Sequence, residues 1–450
     1  MATEADTAGL FGALSIPERR PEARGVNVAP PRVQWPNRLQ MELRPVDLES
    51  LLPEDHKARI VWGYVEQQDL SLLYSRIKAV EGGVGRSPIA PEVLLSLWLY
   101  ATLEGVGSAR ALARLCEAHD AYRWLCGGVG VNHHTLSDFR VGCGEFLDRL
   151  LTTNVAALLS CGAVSMVRVA QDGMRVRAHA GAASFRRKAR LQDYLAQARD
   201  QIAVLKREIE DDPDATSRRQ QAARQRAARE REQRIAQALA RLPQVEQVKK
   251  ANGQPVESAR VSTTDAEANV MKMADGGYRP AYNAQLATDT QTQVIVGVDM
   301  TTRGSDQGQL VPMVEQLQSR YAQPPQEMLV DGGYARLADI EHVAPHTKVY
   351  APVPKPKDES RDPHAPLASD TAAVAKWRAR MGTEEAKAIY KDRAATAECV
   401  NALARNRGLS RFNVRSLDKV KSVLLWFALA HNLMRIVDLA PDMLVPGLTT

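Results

Sequence analysis

The spacing of hydrophobic residues changes once along this chain, near residue 165, and this change limits the folds open to it. Between residues 56 and 150, apolar residues recur three and four positions apart, which predicts a series of short amphipathic helices. Beyond Ser165, short apolar runs typical of buried strands alternate with helical segments. The pattern therefore predicts a helical region followed by a mixed α/β layer.

The helical region contains several recognisable helix starts. One helix is predicted to begin after Pro91, another begins after Ser108, and a further one is capped by Thr135 and continues to Phe146. A glycine-rich stretch at residues 127–130 breaks the chain before this last helix. Short helices on both sides of a glycine turn resemble a helix-turn-helix, so DNA binding and a plain helical bundle are both open interpretations.

The α/β region is predicted to start with a strand that ends in Asp172. A hairpin follows, and a later buried strand ends in Asp331 before helices close the chain. The predicted strands cover residues 166–172, 281–286, 294–300, 328–330 and 349–353, and the predicted helices cover residues 310–317, 383–406 and 416–438.

Residues 186–241 interrupt this α/β region just after its first strand and carry the whole excess of positive charge. They contain 15 Lys and Arg against 9 Asp and Glu, whereas the rest of the chain has 44 of each. Apolar residues from Leu191 to Ile209 are spaced four and three apart, which predicts a coiled-coil seam and an antiparallel helical hairpin. Seven arginines follow along the second helix. The hairpin either binds DNA phosphates or is a solvated charged arm.

Three carboxylates stand where they can meet at one edge of the predicted sheet. Asp172 and Asp331 follow buried strands, where a charge is costly unless it is paired, metal-bound or open to solvent, although either one alone also suits a turn. Glu398 lies in the helix after the last strand, within the pattern Tyr-x2-Arg-x4-Glu-x6-Arg that begins at Tyr390. Such carboxylates can hold two Mg²⁺ ions about 4 Å apart, which suits phosphodiester chemistry.

With these acids and a series of further motifs, the chain resembles a known family, the DDE transposases of bacterial insertion sequences. That family carries a tyrosine-arginine-glutamate-lysine signature around its third acid, and the resemblance extends over nearly the whole chain from Trp62. The other matching motifs are Asp55-His56 and residues 72–74, 85–86, 91, 105–110, 135–140, 171–173, 262–265, 282–285, 306, 331–334, 407–412 and 429–433.

The resemblance implies an RNase-H-like α/β catalytic domain with a mixed sheet, interrupted by the basic hairpin and preceded by an all-α domain like a helix-turn-helix. It implies that Asp172, Asp331 and Glu398 are the catalytic residues and bind two Mg²⁺ or Mn²⁺ ions. The DNA contacts expected from the signature and from the charge pattern are Tyr390, Arg393, Arg405, Arg224, Arg226, Arg229 and Arg140.

The sequence departs from the family pattern in three ways. Four residues rather than three separate Arg393 from Glu398, so the face on which Arg393 lies is open. Arg405 replaces the usual lysine, which keeps a cation for DNA phosphate. The basic insertion follows the first strand instead of preceding the last helix, which suggests a distinct branch. No acid is lost.

The resulting prediction is a transposase that cleaves the ends of its own element and joins the 3′-hydroxyl to target DNA. Its expected partners are double-stranded DNA, as terminal inverted repeats and as target, and a second copy in the synaptic complex. The alternatives are an RNase-H-like nuclease without strand transfer and an inactive DNA-binding transposition repressor. The predicted domains are an arm (1–55), the helical domain (56–150), the catalytic domain (151–185 and 255–440), the insertion (186–254) and a tail (441–450).

The five cysteines are informative about the cellular location of the protein and about metal binding. An odd number spread along the chain favours reduced thiols, so a cytoplasmic protein is expected, and no membrane span is predicted. The cysteines and histidines between residues 116 and 143 fit no zinc-ligand spacing with two close pairs, and they are interpreted as structural.

Overall fold

A computed structural model describes residues 47–79, 87–211, 218–356 and 360–441. The first 46 residues of the predicted arm, and the predicted tail beyond residue 441, lie outside these ranges. The rest of the arm includes a short 3₁₀ helix, Glu49–Leu51, and the side chain of Leu52 after it is buried. From Asp47 onward the chain forms one compact unit around a continuous main core.

Helices occupy the described chain up to residue 160. Pro91 stands at the first position of its helix, where its missing N–H breaks no helical hydrogen bond. Ser108 caps the next helix, because its hydroxyl accepts the N–H of Ala111. Both starts confirm the sequence prediction. The helices are α1 (Lys57–Glu66), α2 (Ser71–Tyr74), α3 (Pro91–Leu103), α4 (Ala109–Ala118), α5 (Asp120–Cys126), α6 (His133–Gly142) and α7 (Gly144–Ser160).

One predicted helix start is wrong. The sequence suggests Thr135 as a cap, but α6 begins earlier with Asn132 as its cap. The side chain of Asn132 accepts the N–H groups of His134 and Thr135 at 2.9 and 3.0 Å, and so satisfies two donors that the helix itself leaves free. Phe146 consequently lies on α7, and this helix continues through residue 150.

A mixed β-sheet lies at the centre of the fold, and a separate two-stranded pair, β2 with β3, lies outside it. The strands are β1 (Arg168–Arg177), β2 (Phe185–Arg186), β3 (Val261–Ser262), β4 (Asn269–Lys272), β5 (Tyr278–Asp289), β6 (Ile295–Thr301), β7 (Glu327–Leu329) and β8 (Lys348–Tyr350).

The strand order across the sheet is β6, β5, β1, β7, β8, with β4 beside β6 along the same edge of β5. β5 runs antiparallel to β1, β4 and β6, whereas β1, β7 and β8 are parallel to one another. The predicted hairpin, now β5 and β6, and the predicted buried strand β7 are both confirmed. This mixed sheet fits the RNase-H-like fold that the resemblance implies.

The first strand is longer than the sequence suggested. A strand ending at Asp172 is predicted, but β1 continues to Arg177 because the twelve-residue strand β5 pairs with it from Val169 onward. β7 pairs only with Arg168–Ala170. Asp172 is therefore a residue within β1, just beyond its parallel pairing with β7, and not a strand end.

Two long helices follow β2 and pack against each other: α8 (Lys188–Asp211) and α9 (Arg218–Ala251). Contacts of Arg199 with Glu232 and of Gln201 with Arg231 place later residues of one helix beside earlier residues of the other, so the helices are antiparallel. Their small core is separate from the main one and contains Leu191, Ala198, Ile235, Ala238 and Leu242, with Ala259 and Val261 from the returning chain.

The remaining helices cover the sheet and close the described chain. The sequence predicts one regular helix over residues 383–406, but this region is a helix, a π-helical segment and a second helix. They are α10 (Leu310–Tyr321), α11 (Leu337–Val343), α12 (Ala372–Met381), α13 (Glu384–Arg393), the π segment Ala394–Glu398, α14 (Cys399–Asn406) and α15 (Leu417–Leu439).

α15 is a core helix. Its length and composition would suffice to cross a membrane, but most of it is buried against α3, α7 and β6. The side chain of Asn432 pairs with both the N–H and the C=O of Ile295 at 2.8 Å, and the ring of His431 contacts the carbonyl of Gln293. Burial lowers the pKa of His431 to about 4. These contacts fix α15 to the start of β6.

Candidate active site

Asp172 lies on β1 and Asp331 follows β7, the strand parallel to β1, so the two residues reach the same edge of the sheet. Asp331 comes two residues after β7, whose last residues are fully buried. Its carboxylate accepts the N–H of Gly333 at 2.7 Å and caps a short 3₁₀ helix, Gly332–Tyr334. Capping fixes the backbone of Asp331 and leaves its second carboxylate oxygen available for other partners.

Glu398 is the last residue of the π segment, and this explains the unusual spacing of the signature. An α-helix places residues i and i+4 on one face, whereas a π-helical turn accommodates one extra residue. Arg393 and Glu398 are five positions apart, and they still lie side by side, with Nη1 of Arg393 3.6 Å from Oε1 of Glu398. The extra residue is therefore absorbed by the π segment, and Arg393 lies on the same face as Glu398.

The guanidinium of Arg393 joins the three acids. Its Nη2 lies 3.3 Å from Asp172 and 3.9 Å from Asp331, in addition to the contact of Nη1 with Glu398. The Arg393 side chain is only 12% exposed, whereas that of Glu398 is 64% exposed. Three carboxylates thus surround one buried cation at the sheet edge, with Glu398 on the solvent side.

Asn401 is a site residue that sequence reasoning missed. Its side-chain amide donates to Oδ2 of Asp172 at 2.9 Å, and Asn401 itself is buried. The sequence did contain a signal for Asn401. It is a polar residue among the apolar positions of α14, next to Val400 and near Ala404, and a buried amide needs a hydrogen-bond partner. The oxygen of Asn401 has no partner among the described residues.

A buried polar network supports β1 from the other face of the strand. Gln171 donates to Gln285 at 3.0 Å, and Gln285 donates to Asp306 at 2.9 Å and accepts the hydroxyl of Tyr334. A Cβ at Gly173 would lie 2.1 Å from Oδ1 of Asp306, so only glycine fits there. Motifs that are far apart in the chain therefore form one network behind the acids.

The electrostatics of the site follow from burial and from this crowding of acids. Burial raises the pKa of the Asp172 carboxyl above its ordinary value; Arg393 opposes this effect and the charge of Asp331 strengthens it. Burial also raises the pKa of Tyr390, which lies half-buried beside the same groups. Negative charge is thus concentrated where a cation is most favourable.

The chemistry of these residues fits a divalent metal, but their present spacing does not amount to a metal site. Carboxylate oxygens are the ligands that Mg²⁺ and Mn²⁺ prefer. Within the described parts of the chain, no three His, Cys, Asp or Glu side chains are arranged to hold an ion as they stand. The guanidinium of Arg393 lies between the acids instead.

The residues expected to contact DNA have different surroundings. Arg224, Arg226 and Arg229 are exposed on α9, and Arg405 is exposed at the end of α14.

Arg140, by contrast, is held inside the fold. Its guanidinium lies 4.6 Å from the ring centroid of Trp98 and donates to the carbonyl of Gly107 at 2.6 Å. Burial lowers its pKa to about 10. The charged group of Arg140 is thus already bound within the protein, and its contact with DNA stays a prediction.

Comparison with known protein families gives two matches. Residues 46–141 match the family described as Transposase domain (DUF772), and residues 253–433 match the Transposase DDE domain. The second match contains Asp331 and Glu398, whereas Asp172 and the α8–α9 pair lie between the two matched ranges. No curated protein and no solved structure gives a significant match. Both matched families are transposase domains, and the two matches are consistent with a DDE transposase of an insertion sequence that has an N-terminal transposase domain ahead of the DDE domain.

Proposed function

We propose that this transposase cleaves the ends of its own insertion sequence and joins the freed 3′-hydroxyl to target DNA. The observation that carries the proposal is the convergence of Asp172, Asp331 and Glu398 on one guanidinium at the edge of the sheet. The DDE-domain match supports a metal-dependent polynucleotidyl transferase, and it contains the second and third acids.

The metal ligands in this proposal are the three acids. When bound, two Mg²⁺ or Mn²⁺ ions would activate the attacking oxygen and stabilise the leaving oxygen of the phosphodiester. Asp172 and Asp331 would bind them from the sheet and Glu398 from the π segment. Asn401 holds one oxygen of Asp172 in a fixed direction, as outer-shell partners of metal ligands do.

Arg393 has two successive roles in this proposal. Its guanidinium offsets part of the negative charge of the three carboxylates, which repel one another. Metal ions bound by the acids would take the place of the guanidinium between them. Its planar fork is then available to bind a DNA phosphate in a bidentate manner, which suits the place of this residue in the signature.

Further contacts with DNA would come from exposed cations around the site and on the insertion. Arg405 is exposed at the end of α14, and Arg224, Arg226 and Arg229 present positive charge along α9. Tyr390, half-buried near the acids, would add a polar contact. Each phosphate contact releases counterions and strengthens binding regardless of sequence. Because two element ends have to be held together, the proposed active form is a homodimer.

A strand-transfer assay with labelled element ends and a target plasmid in Mg²⁺ tests the proposal. Wild-type protein is expected to nick the ends and to produce joined molecules, and Asp331→Ala is expected to do neither. Nicked ends without joined products would indicate an RNase-H-like nuclease. Binding of the ends without nicking by the wild-type protein would indicate an inactive DNA-binding repressor.

A further inference from the structure

A cavity of about 600 Å³ lies between β1, the turn from β4 to β5 and the end of α14. Its wall includes Gly173, the residue directly after Asp172. Alternate residues of a strand share a face, so the side chains of Arg175 and Arg177 project on the same face as Gly173. The cavity therefore follows β1 away from the acids.

Cations outnumber acids five to one in the lining of this cavity. It contains one acid, Asp275, from the turn between β4 and β5. The cationic side chains that line it are Arg175, Arg177, Lys272, Arg279 and Arg405.

Only two of these five cations are paired within the described residues. Arg175 forms an ion pair with Asp306 at 2.8 Å, and Arg279 forms one with Asp275 at 2.7 Å. The pair with buried Asp306 anchors Arg175 to the network behind the acids.

Arg177, Lys272 and Arg405 remain without an ion pair in the described parts of the chain, and all three are exposed. Like charges that face one cavity repel one another, and a bound anion removes that repulsion. The volume of the cavity lies in the range that holds small ligands, so a nucleotide-sized group fits it.

We propose that this cavity binds a backbone phosphate of the DNA strand next to the scissile phosphodiester, with Arg177 and Lys272 as direct contacts. The inference rests on the proposed function, since it needs DNA at the acids. It adds a phosphate site on β1 and β4, on the opposite face of β1 from the contacts of Asp172. The DNA would then be held at two places, by Arg393 at the acids and by this cavity.

The test compares two double variants in binding to a short fluorescein-labelled duplex of the element end, measured by anisotropy at several salt concentrations. Arg177→Gln/Lys272→Gln removes the two proposed contacts. Lys348→Gln/Lys376→Gln removes two exposed cations on β8 and α12, outside the cavity. Thermal melting checks that both variants are folded, and Arg177→Lys/Lys272→Arg tests rescue by charge.

The cavity variant is expected to lower the slope of log K against log salt by about 0.9 for each lost contact, and the rescue variant is expected to restore it. The control variant should keep the wild-type slope. An unchanged slope in the folded cavity variant, while wild-type protein still nicks the ends in Mg²⁺, would overturn this inference and leave the proposed function intact. Failure of the wild-type protein to nick would instead contradict the proposed function.

Discussion

The acid site and the α8–α9 pair carry charge in opposite ways. At the acid site, the guanidinium of Arg393 is almost completely buried and contacts three carboxylates. On α9, Arg224, Arg226 and Arg229 are exposed and form no ion pair with another described residue. Fixed charges that contact one another suit catalysis, which depends on geometry. Exposed charges suit DNA binding, whose strength depends on how many cations contact phosphates. Substitutions at the acid site should therefore change the rate of cleavage, whereas substitutions on α9 should change DNA binding and its salt dependence.

The largest effect is expected from Asp172→Ala and Asp331→Ala. Each removes a proposed metal ligand, so metal-dependent cleavage should fall at least about a thousandfold, or about 4 kcal/mol in the activation barrier. Binding of element ends should persist, because removing an acid near DNA relieves repulsion with phosphate. Single-turnover nicking and anisotropy measure the two quantities. Loss of binding in a folded variant would mean that the acids do not act as metal ligands.

Glu398→Gln should also eliminate metal-dependent nicking, since an amide is a poor substitute for a carboxylate ligand. The matched controls are Glu384→Gln and Glu385→Gln. Glu384 is exposed at the start of α13, where it pairs with Lys387 and needs no further role. The controls should cut within about threefold of wild type, a change of about 0.65 kcal/mol. Normal nicking by Glu398→Gln would assign the third acid to another residue.

A change in the length of the π segment tests how Arg393 and Glu398 are aligned. Deleting exposed Ala395 leaves them four positions apart, which an ordinary α-helix keeps on one face, so nicking should stay within about tenfold of wild type. Inserting one alanine after Ala395 turns Glu398 by about 100° and should reduce nicking about a hundredfold. Equal rates for the two variants in the same assay would contradict the proposed alignment.

The smallest effect on chemistry is expected from Arg224→Gln/Arg226→Gln/Arg229→Gln. This triple variant should lower the slope of log K against log salt by about 2.7 and weaken binding at physiological salt. Nicking at saturating DNA should remain close to wild type, because these residues are remote from the acids in the proposal. An unchanged slope would make the α8–α9 pair a solvated arm.

The sequence predicted best those features that depend on neighbouring residues. The starts of α3 and α4 follow from Pro91 and Ser108, which act locally. Thr135 failed as a cap because the helix begins earlier, where Asn132 accepts the N–H groups of His134 and Thr135. The length of β1 could not be predicted, because it depends on pairing with β5, more than a hundred residues away.

In the site, too, features set by neighbouring residues could be predicted, whereas contacts between distant residues could not. The acids are recognisable from motifs, but the contact of Asn401 with Asp172 joins residues 229 positions apart and exists only in the fold. A helical wheel assumes a constant rotation per residue, so it could not predict the π segment. Nothing in the local sequence of Arg140 indicates that Trp98 and Gly107 hold its guanidinium.

The most direct measurement is the position of Mn²⁺ by anomalous scattering in crystals of the protein with element-end DNA. The account predicts Mn²⁺ bound by oxygens of Asp172, Asp331 and Glu398, with the guanidinium of Arg393 withdrawn from the acids and placed on a DNA phosphate. Mn²⁺ bound elsewhere, with Arg393 still bridging the three acids in the presence of DNA, would contradict it.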